Sequence, residues 1–237
     1  KKLHHEIDLV TTPDGSLVAM AHSNNCSTEY SAWIDMFGDA ARALGADIPN
    51  EKLYDTMMKL AITGDPDCGG LLAYGYHSGE HITGFTEGRP LLVRTPESKF
   101  TPANIIRAQL FTALCALRTG LNILFDEENV KVDEIRGHGG FFKTEGVGER
   151  IMAAATNSPI SVLSTAGEGG AWGIALLAAF SSNSKQSQSL PEYLEDIFAS
   201  SMGKAFHPDK DDVKGFNEFF NRYHHGLTIE RSAVDSI

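Results

Sequence analysis

One long apolar stripe constrains the fold of this chain more than any other feature. Pro102 follows Thr101, and because its missing N–H costs nothing at the first position of a helix, we expect a helix to begin there. Apolar residues then recur at helical spacing: Ile106, Leu110, Ala113, Leu114, Leu117, Leu121 and Leu124. Gly120 interrupts the stripe at a cost of about 1 kcal/mol relative to Ala. An apolar face of this length predicts a helix that packs against a core.

Shorter helices are predicted before and after this stripe. Ser27 or Thr28 can cap a helix that runs to about Leu44, and Asn50 can cap a second helix that ends near 64–66. Later helices are predicted near 148–155, 169–180 and 213–223, the last of which presents Phe216, Phe219, Phe220 and Tyr223 to a core.

Short apolar runs bounded by turn residues predict the strands, at 17–20, 71–76, 132–136 and 160–163. The last two runs bracket the helix predicted near 148–155, and another helix follows them. This strand–helix–strand–helix series favours α/β architecture. The Ser-rich segment 181–189 is predicted to be a flexible loop.

Composition excludes several classes of protein. The 237 residues suit one large domain or two small ones. With 31 acidic residues against 20 basic ones, nucleic acid is not an expected partner, because phosphate contacts need clustered Lys and Arg. We expect no membrane partner, since neither a run of about 18 apolar residues nor a signal peptide occurs. The three cysteines are far apart, without CxxC spacing, so no zinc site or disulfide framework is predicted and a cytoplasmic location fits best.

The strongest local feature is the glycine-rich segment 137–144, which follows a predicted strand and precedes a predicted helix. Glycines let a backbone turn sharply and let a ligand approach its N–H groups, so a nucleotide phosphate or adenine-ribose unit is a natural occupant. A tight turn without a ligand explains the same residues. Phe142 stands where a GxGxxG motif needs its last Gly, and no GxxxxGK[ST] occurs, which excludes a standard dinucleotide fold and a P-loop NTPase.

Two other segments are weaker candidates. Residues 165–173 open a helix of small residues, which suits close packing against a backbone or a flat ligand. Asp65, Asp67 and Gly69 are only loosely similar to a calcium loop, because the later ligands are absent.

The loop around Ser78 also carries His77 and His81. A GxSxG nucleophile turn would need Gly where Tyr76 and Glu80 stand, so a serine hydrolase is not favoured. Two histidines without a third spaced ligand do not predict a metal site.

Taken in order, these segments resemble the C-terminal domain of the FGGY carbohydrate kinases. The resemblance rests on the YxSGE loop at 76–80, NIIRA at 104–108, the Gly-Gly turn at 139–140 and GEGGAWGIA at 167–175. It implies an α/β domain with the actin/Hsp70/hexokinase-like ATPase (ribonuclease H-like) fold over residues 1–237. Asp8-Leu9-Val10 and the ending around Arg222-Tyr223 are similar to ketopentose kinases of the ribulokinase and xylulokinase type.

The resemblance implies a role for the glycine-rich segment. Gly139 and Gly140 would lie against the phosphates and ribose of ATP, and Phe141 and Thr144 would border the adenine. The helix at 169 would pack behind this pocket.

The sequence departs from the family pattern at two places. Phe111 and Thr112 stand where many members carry an acid, and His138 replaces the first residue of the usual glycine trio.

The intact protein is expected, on this resemblance, to transfer a phosphoryl group from ATP, with Mg2+, to L-ribulose or D-xylulose. The chain begins with Lys1 and not with Met, so we expect a fragment that lacks the first elements of its domain. In the family, the catalytic Asp and most of the sugar site precede the part that this chain matches. We therefore assign no catalytic residue and no metal ligand to the chain and expect it to be inactive without its N-terminal kinase domain. A homodimer is compatible with this expectation.

Two alternatives stay open at the level of sequence. The chain could be a non-catalytic ATPase-fold module that binds a nucleotide or a partner protein. It could also be an unrelated α/β hydrolase that uses Ser78 and a histidine.

Overall fold

A computed structural model describes residues 2–163, 169–182, 188–199 and 204–237 of the chain. In chain order, its α-helices are α1 (Ser27–Ala43), α2 (Asn50–Ala61), α3 (Pro102–Asn122), α4 (Val147–Thr156), α5 (Gly169–Ser182), α6 (Leu190–Phe198) and α7 (Lys210–Ser236). Its strands are β1 (Asp8–Thr11), β2 (Leu17–Met20), β3 (Leu72–Tyr74), β4 (Leu91–Val93), β5 (Ile135–Gly137) and β6 (Ile160–Val162).

Helix α3 begins where the sequence predicts and lies at the centre of the core. The Thr101 hydroxyl accepts a hydrogen bond from the Asn104 N–H at 3.2 Å, and Pro102 occupies the first turn. Every residue from 104 to 116 is buried, because α1, α2, α4 and α7 pack around the helix. By length and composition alone, Pro102–Glu127 could cross a membrane. Because much of this segment is buried inside the protein, it is a core helix.

The described strands form three two-stranded sheets. β1 pairs with β2, and β3 with β4, in antiparallel register. β5 and β6 are parallel, with Ile135 opposite Ile160, and α4 connects them. Because parallel neighbours require a crossover connection, this unit confirms the predicted strand–helix–strand series.

Both strands of the β1–β2 hairpin are exposed along their whole length. All eight of its strand residues are exposed, among them Leu9 at 65% and Leu17 at 86%. The strand predicted at 17–20 is thus confirmed, but it does not lie in the core.

The predicted caps of α1 and α2 are wrong, although both helices are present. Cys26 precedes α1 and makes no side-chain capping bond, and Ser27 lies inside the helix. Pro49 precedes α2, so Asn50 is its first helical residue and not its cap.

Near the C-terminus the helices differ from the predicted ones in length and number. The helix predicted at 213–223 runs from Lys210 to Ser236, and Asp209 caps it by accepting hydrogen bonds from the N–H groups of Asp211 and Asp212. Helix α6 was not predicted; a reciprocal capping box between Ser189 and Glu192 starts it. The loop predicted at 181–189 begins inside α5, and its residues 183–187 lie outside the described part of the chain.

Aromatic side chains of α7 pack on α3 as the sequence predicts. The rings of Phe216 and Phe219 are fully buried and meet the Phe111 ring edge-on, at centroid distances of 4.9 and 5.6 Å. Tyr223 is also fully buried, and its backbone carbonyl accepts a hydrogen bond from the Tyr74 hydroxyl. This cluster fixes α7 against α3 and β3.

One carboxylate joins three helices inside the core. Asp212 of α7 is 2% exposed, and it accepts hydrogen bonds from Arg107 of α3, at 2.6 Å, and from Arg150 of α4. Burial alone would raise the pKa of Asp212, but the hydrogen bonds from the two guanidinium groups outweigh it and lower the pKa. The carboxylate is therefore held in its charged form.

We expect Asp212→Ala to lower the free energy of unfolding by about 3–5 kcal/mol, because it leaves the fully buried Arg107 without its counter-charge. Urea unfolding followed by circular dichroism measures this loss. Asp211→Ala, at the exposed neighbouring position, is the matched control. Equal losses in the two variants would contradict a special role for the buried carboxylate.

A second buried carboxylate in α7 has fewer hydrogen-bond donors around it than Asp212 has. Glu230 is fully buried, and one carboxylate oxygen accepts a hydrogen bond from the Arg89 N–H at 2.6 Å. The other oxygen is buried without a hydrogen-bond partner in the described structure. Burial raises the pKa of Glu230 above its usual value of 4.5, against the opposing effect of the Arg89 N–H.

A carboxyl group whose folded pKa is raised favours the folded state below its unfolded pKa, and this contribution is lost as the pH rises through the folded pKa. We therefore expect Glu230→Gln, which keeps the acceptor for Arg89, to raise the urea midpoint at pH 7–8. The gain should shrink as the pH falls through the raised pKa of the folded state, and it should be absent below the ordinary value of 4.5. A gain that is independent of pH would show that the ionised carboxylate is not the cause.

Candidate functional site

The glycine-rich segment forms a turn between β5 and α4. Gly139 has a positive φ of 95°, which favours glycine, and Gly140–Phe142 then makes one short turn of 3-10 helix. A Cβ added at Gly139 or Gly140 would meet no atom within 4 Å. These two glycines therefore leave open space beside the backbone, as a bound ligand requires.

Two neighbouring glycines have a different role. A Cβ on Gly137 would lie 2.5 Å from the Phe142 ring, and one on Gly148 would lie 2.5 Å from the Phe141 carbonyl oxygen. Their absent side chains let the turn pack onto the start of α4. The segment thus combines close packing on one side with an open face on the other.

A cavity of about 420 Å3 lies at this open face. The turn contributes Gly140, Lys143 and Thr144 to it. The opposite walls come from α1 and α2, which supply Tyr30, Ser31, Glu51, Tyr54, Asp55 and Met58. The structure therefore brings Gly140 and Thr144 together in one cavity and adds two helical walls that the sequence did not predict as part of the site.

The other two predicted residues lie differently. The Phe141 side chain is 8% exposed and packs edge-on against Phe142, at a centroid distance of 5.4 Å. It belongs to the core under the turn. Gly139 precedes the turn with its positive φ and is not among the residues that line the cavity.

The walls of the cavity differ in charge. Glu51 and Asp55 lie on α2, where Asp55 also forms an ion pair with Lys59 at 2.8 Å. Lys143 lies on the glycine turn. Burial raises the pKa of Tyr30 to about 12, so its hydroxyl is neutral at physiological pH. The turn side is thus the more favourable side for an anion.

The YxSGE loop has a structural role. Glu80 is 1% exposed and accepts hydrogen bonds from the Asn24 N–H, the Asn25 amide and the Ser23 hydroxyl. The Asn25 oxygen in turn accepts hydrogen bonds from the N–H groups of His77 and Ser78. Two loops that are far apart in sequence are thereby locked together.

The same bonds argue against the hydrolase alternative. The Ser78 hydroxyl points to Asn25, at 3.5 Å, and the His77 ring bonds to the Glu29 carboxylate at 2.8 Å. The His81 ring stacks on His22 at a centroid distance of 6.2 Å. Within the described structure, no serine–histidine hydrogen bond joins these residues.

Metal ligation is not indicated either. Asp65 bonds to Lys99 and Asn104, and Asp67 accepts hydrogen bonds from Gly69, Gly70 and Arg222. The described residues contain no group of three or more His, Cys, Asp or Glu side chains that could hold a metal ion. In the segment that is loosely similar to a calcium loop, both carboxylates are therefore engaged by protein donors.

Helix α5 begins beside the glycine turn, but the close packing predicted for its small residues is not found along the helix, because a Cβ on Gly170 or Gly173 would meet no atom within 4 Å. A Cβ on Gly169 would lie 3.0 Å from the His138 ring. Most of α5 is exposed, and it lines a mainly apolar cavity of about 510 Å3 with α6 and the turn of the β1–β2 hairpin. Residues 164–168, the first part of this motif, lie outside the described ranges.

Solved structures share this fold at low sequence identity. Xylulose kinase from Rhodospirillum rubrum superposes with a TM-score of 0.69 and 18% identity, over 97% of this chain and 43% of that one. Gluconate kinase from Lactobacillus acidophilus gives 0.65 and 18%, over 94% and 42%. Plasmodium falciparum glycerol kinase with ADP gives 0.55 and 16%, over 80% and 36%. The chain spans less than half of each of these proteins.

The fold and the glycine turn define a lobe of the actin/Hsp70/hexokinase-like ATPase class. Residues 1–182 match the FGGY family of carbohydrate kinases, C-terminal domain. The chain therefore belongs to this family and matches its C-terminal domain. No curated protein matches its sequence.

Proposed function

We propose that the intact protein phosphorylates a ketopentose, L-ribulose or D-xylulose, with ATP, and that this chain supplies the nucleotide-binding lobe. The observation that carries the proposal is the open face of Gly140 at a cavity of about 420 Å3, beside Thr144. Support for a sugar substrate comes from the family and from neighbours described as xylulose, gluconate and glycerol kinases.

The cavity fits a nucleotide in one orientation. Phosphates carry several negative charges and would be repelled by Glu51 and Asp55 on α2. They belong at the glycine turn, where backbone N–H groups at the start of a helical turn and the Lys143 ammonium favour anions. The base then lies toward α1 and α2, where Tyr30, Tyr54 and Met58 offer ring and thioether surface.

ATP supplies the transferable phosphoryl group, and Mg2+ is expected to neutralise the charge on its phosphates. This chain contributes binding and orientation. The missing side chain of Gly140 lets the phosphates approach the backbone, and the Thr144 hydroxyl can hydrogen-bond to the nucleotide. We assign no Mg2+ ligand and no proton acceptor to this chain, because in the family that it resembles the catalytic Asp precedes the part that it matches. The sugar and the base that removes its proton lie in the remainder of the kinase.

Gly140→Asp tests the position of the nucleotide. Because a Cβ there meets no protein atom within 4 Å, the variant should fold normally, while its carboxylate enters the place of the phosphates. We expect the KM for ATP of the intact kinase to rise about tenfold or more, equivalent to about 1.4 kcal/mol. Gly170→Asp, in an equally open position on α5, is the matched control. An unchanged KM in Gly140→Asp would place the nucleotide elsewhere.

A substrate screen of the intact protein tests the reaction. We expect ATP-dependent phosphorylation of L-ribulose or D-xylulose in preference to D-ribulose, L-xylulose, gluconate and glycerol. The 237-residue chain alone should show no turnover in the same coupled assay, since the family resemblance places the catalytic base before the part that this chain matches. Turnover by the chain alone would contradict the proposal that the catalytic base lies outside it. Nucleotide binding by the intact protein without turnover would favour a non-catalytic module.

A further inference from the structure

A buried amide in the middle of α3 has no partner. Gln109 is 1% exposed, and both its Nε2 and its Oε1 lack a hydrogen bond within the described structure. Leaving such a group unpaired is costly, since it has lost its water without gaining a protein partner. Native proteins satisfy nearly all buried polar side chains with protein groups or with ordered water.

Gln109 lines a small cavity that can supply the missing partner. The cavity offers about 10 Å3 to the centre of a water-sized sphere, which is room for one water molecule. Most of its accessible wall is apolar, but polar side chains also border it, among them Glu80 and Gln109 itself. A buried water needs about two to four polar partners, and these side chains are placed to supply them.

The neighbouring groups can complete the hydrogen bonds of a water molecule. Of the two Glu80 oxygens, Oε2 accepts from Ser23, Asn24 and Asn25, whereas Oε1 accepts from Asn24 only. A carboxylate oxygen has room for a second donor. The side chain of Thr112 is already engaged, since its hydroxyl donates to the Ala73 carbonyl at 2.7 Å.

We propose that this cavity binds one structural water molecule, which accepts a hydrogen bond from the Gln109 amide and donates one to the Glu80 carboxylate. The water joins the centre of α3 to the two interlocked loops, at 23–25 and 76–80. It also lies next to Cys26 and Glu29, at the first turn of α1, whose following residues Tyr30 and Ser31 line the nucleotide cavity. The proposal does not depend on the proposed function.

The direction in which Gln109→Met changes the urea midpoint distinguishes a hydrated cavity from a dry one. Met has a similar length and no hydrogen-bonding amide. If the cavity is dry, the variant removes an unsatisfied polar group and raises the urea midpoint. If a water is bound, the variant removes one of its partners, and we expect a midpoint below that of Leu110→Met and faster amide hydrogen exchange in residues 76–80. Leu110→Met, at the adjacent fully buried position, gives the cost of placing Met in this helix.

A midpoint of Gln109→Met equal to or above that of Leu110→Met overturns the proposal. A crystal structure of the unaltered chain at about 1.5 Å resolution provides a test that does not depend on folding of a variant. It should show one solvent peak at hydrogen-bond distance, about 2.7–3.2 Å, from the Gln109 amide. An empty cavity, or a peak with six oxygen ligands at about 2.3–2.6 Å, which indicates a cation, would also overturn it.

Discussion

The polar residues in the buried middle of α3 hold the rest of the fold in place. Asn104 bonds to the turn at 65, Arg107 to the Asp212 carboxylate of α7, and Thr112 to the Ala73 carbonyl of β3. Each bond is made to a different element, so α3 contacts its neighbours through specific hydrogen bonds as well as through apolar packing. Since a buried polar group must find a partner, these residues restrict how the neighbouring elements can be placed.

This arrangement also explains which parts of the fold could be predicted. The start of α3 and the β5–α4–β6 unit follow from local signals, a Thr-Pro cap and apolar runs around a helix. The apolar stripe was identified on one face of α3, but the opposite face, with Arg107 and Gln109, is buried too. A polar residue in sequence looks solvent-exposed until its partner, often a hundred residues away, is known. The predicted caps of α1 and α2 differ from the observed ones because Cys26 and Pro49 precede these helices and make no side-chain capping bond.

Local sequence signals indicate one wall of the candidate cavity. Glycines at a strand-to-helix turn are a local signal, and Gly140 and Thr144 do line one cavity. Its other walls come from α1 and α2, more than eighty residues earlier, and nothing in their periodicity marks them as part of a site. The Phe141 ring is 8% exposed and lies in the core, whereas Gly140, Lys143 and Thr144 line the cavity.

The exposed β1–β2 hairpin has a practical consequence. Of the eight residues in its two strands, only Asp8 is charged, and Leu9, Val10, Leu17 and Val18 present apolar surface. Natural proteins protect sheet edges with charges, prolines or covering elements, because a bare edge is a template for another strand. When this chain is produced by itself, association between copies should therefore increase with protein concentration, and dilute, cold handling will favour the monomer over strand-mediated aggregates.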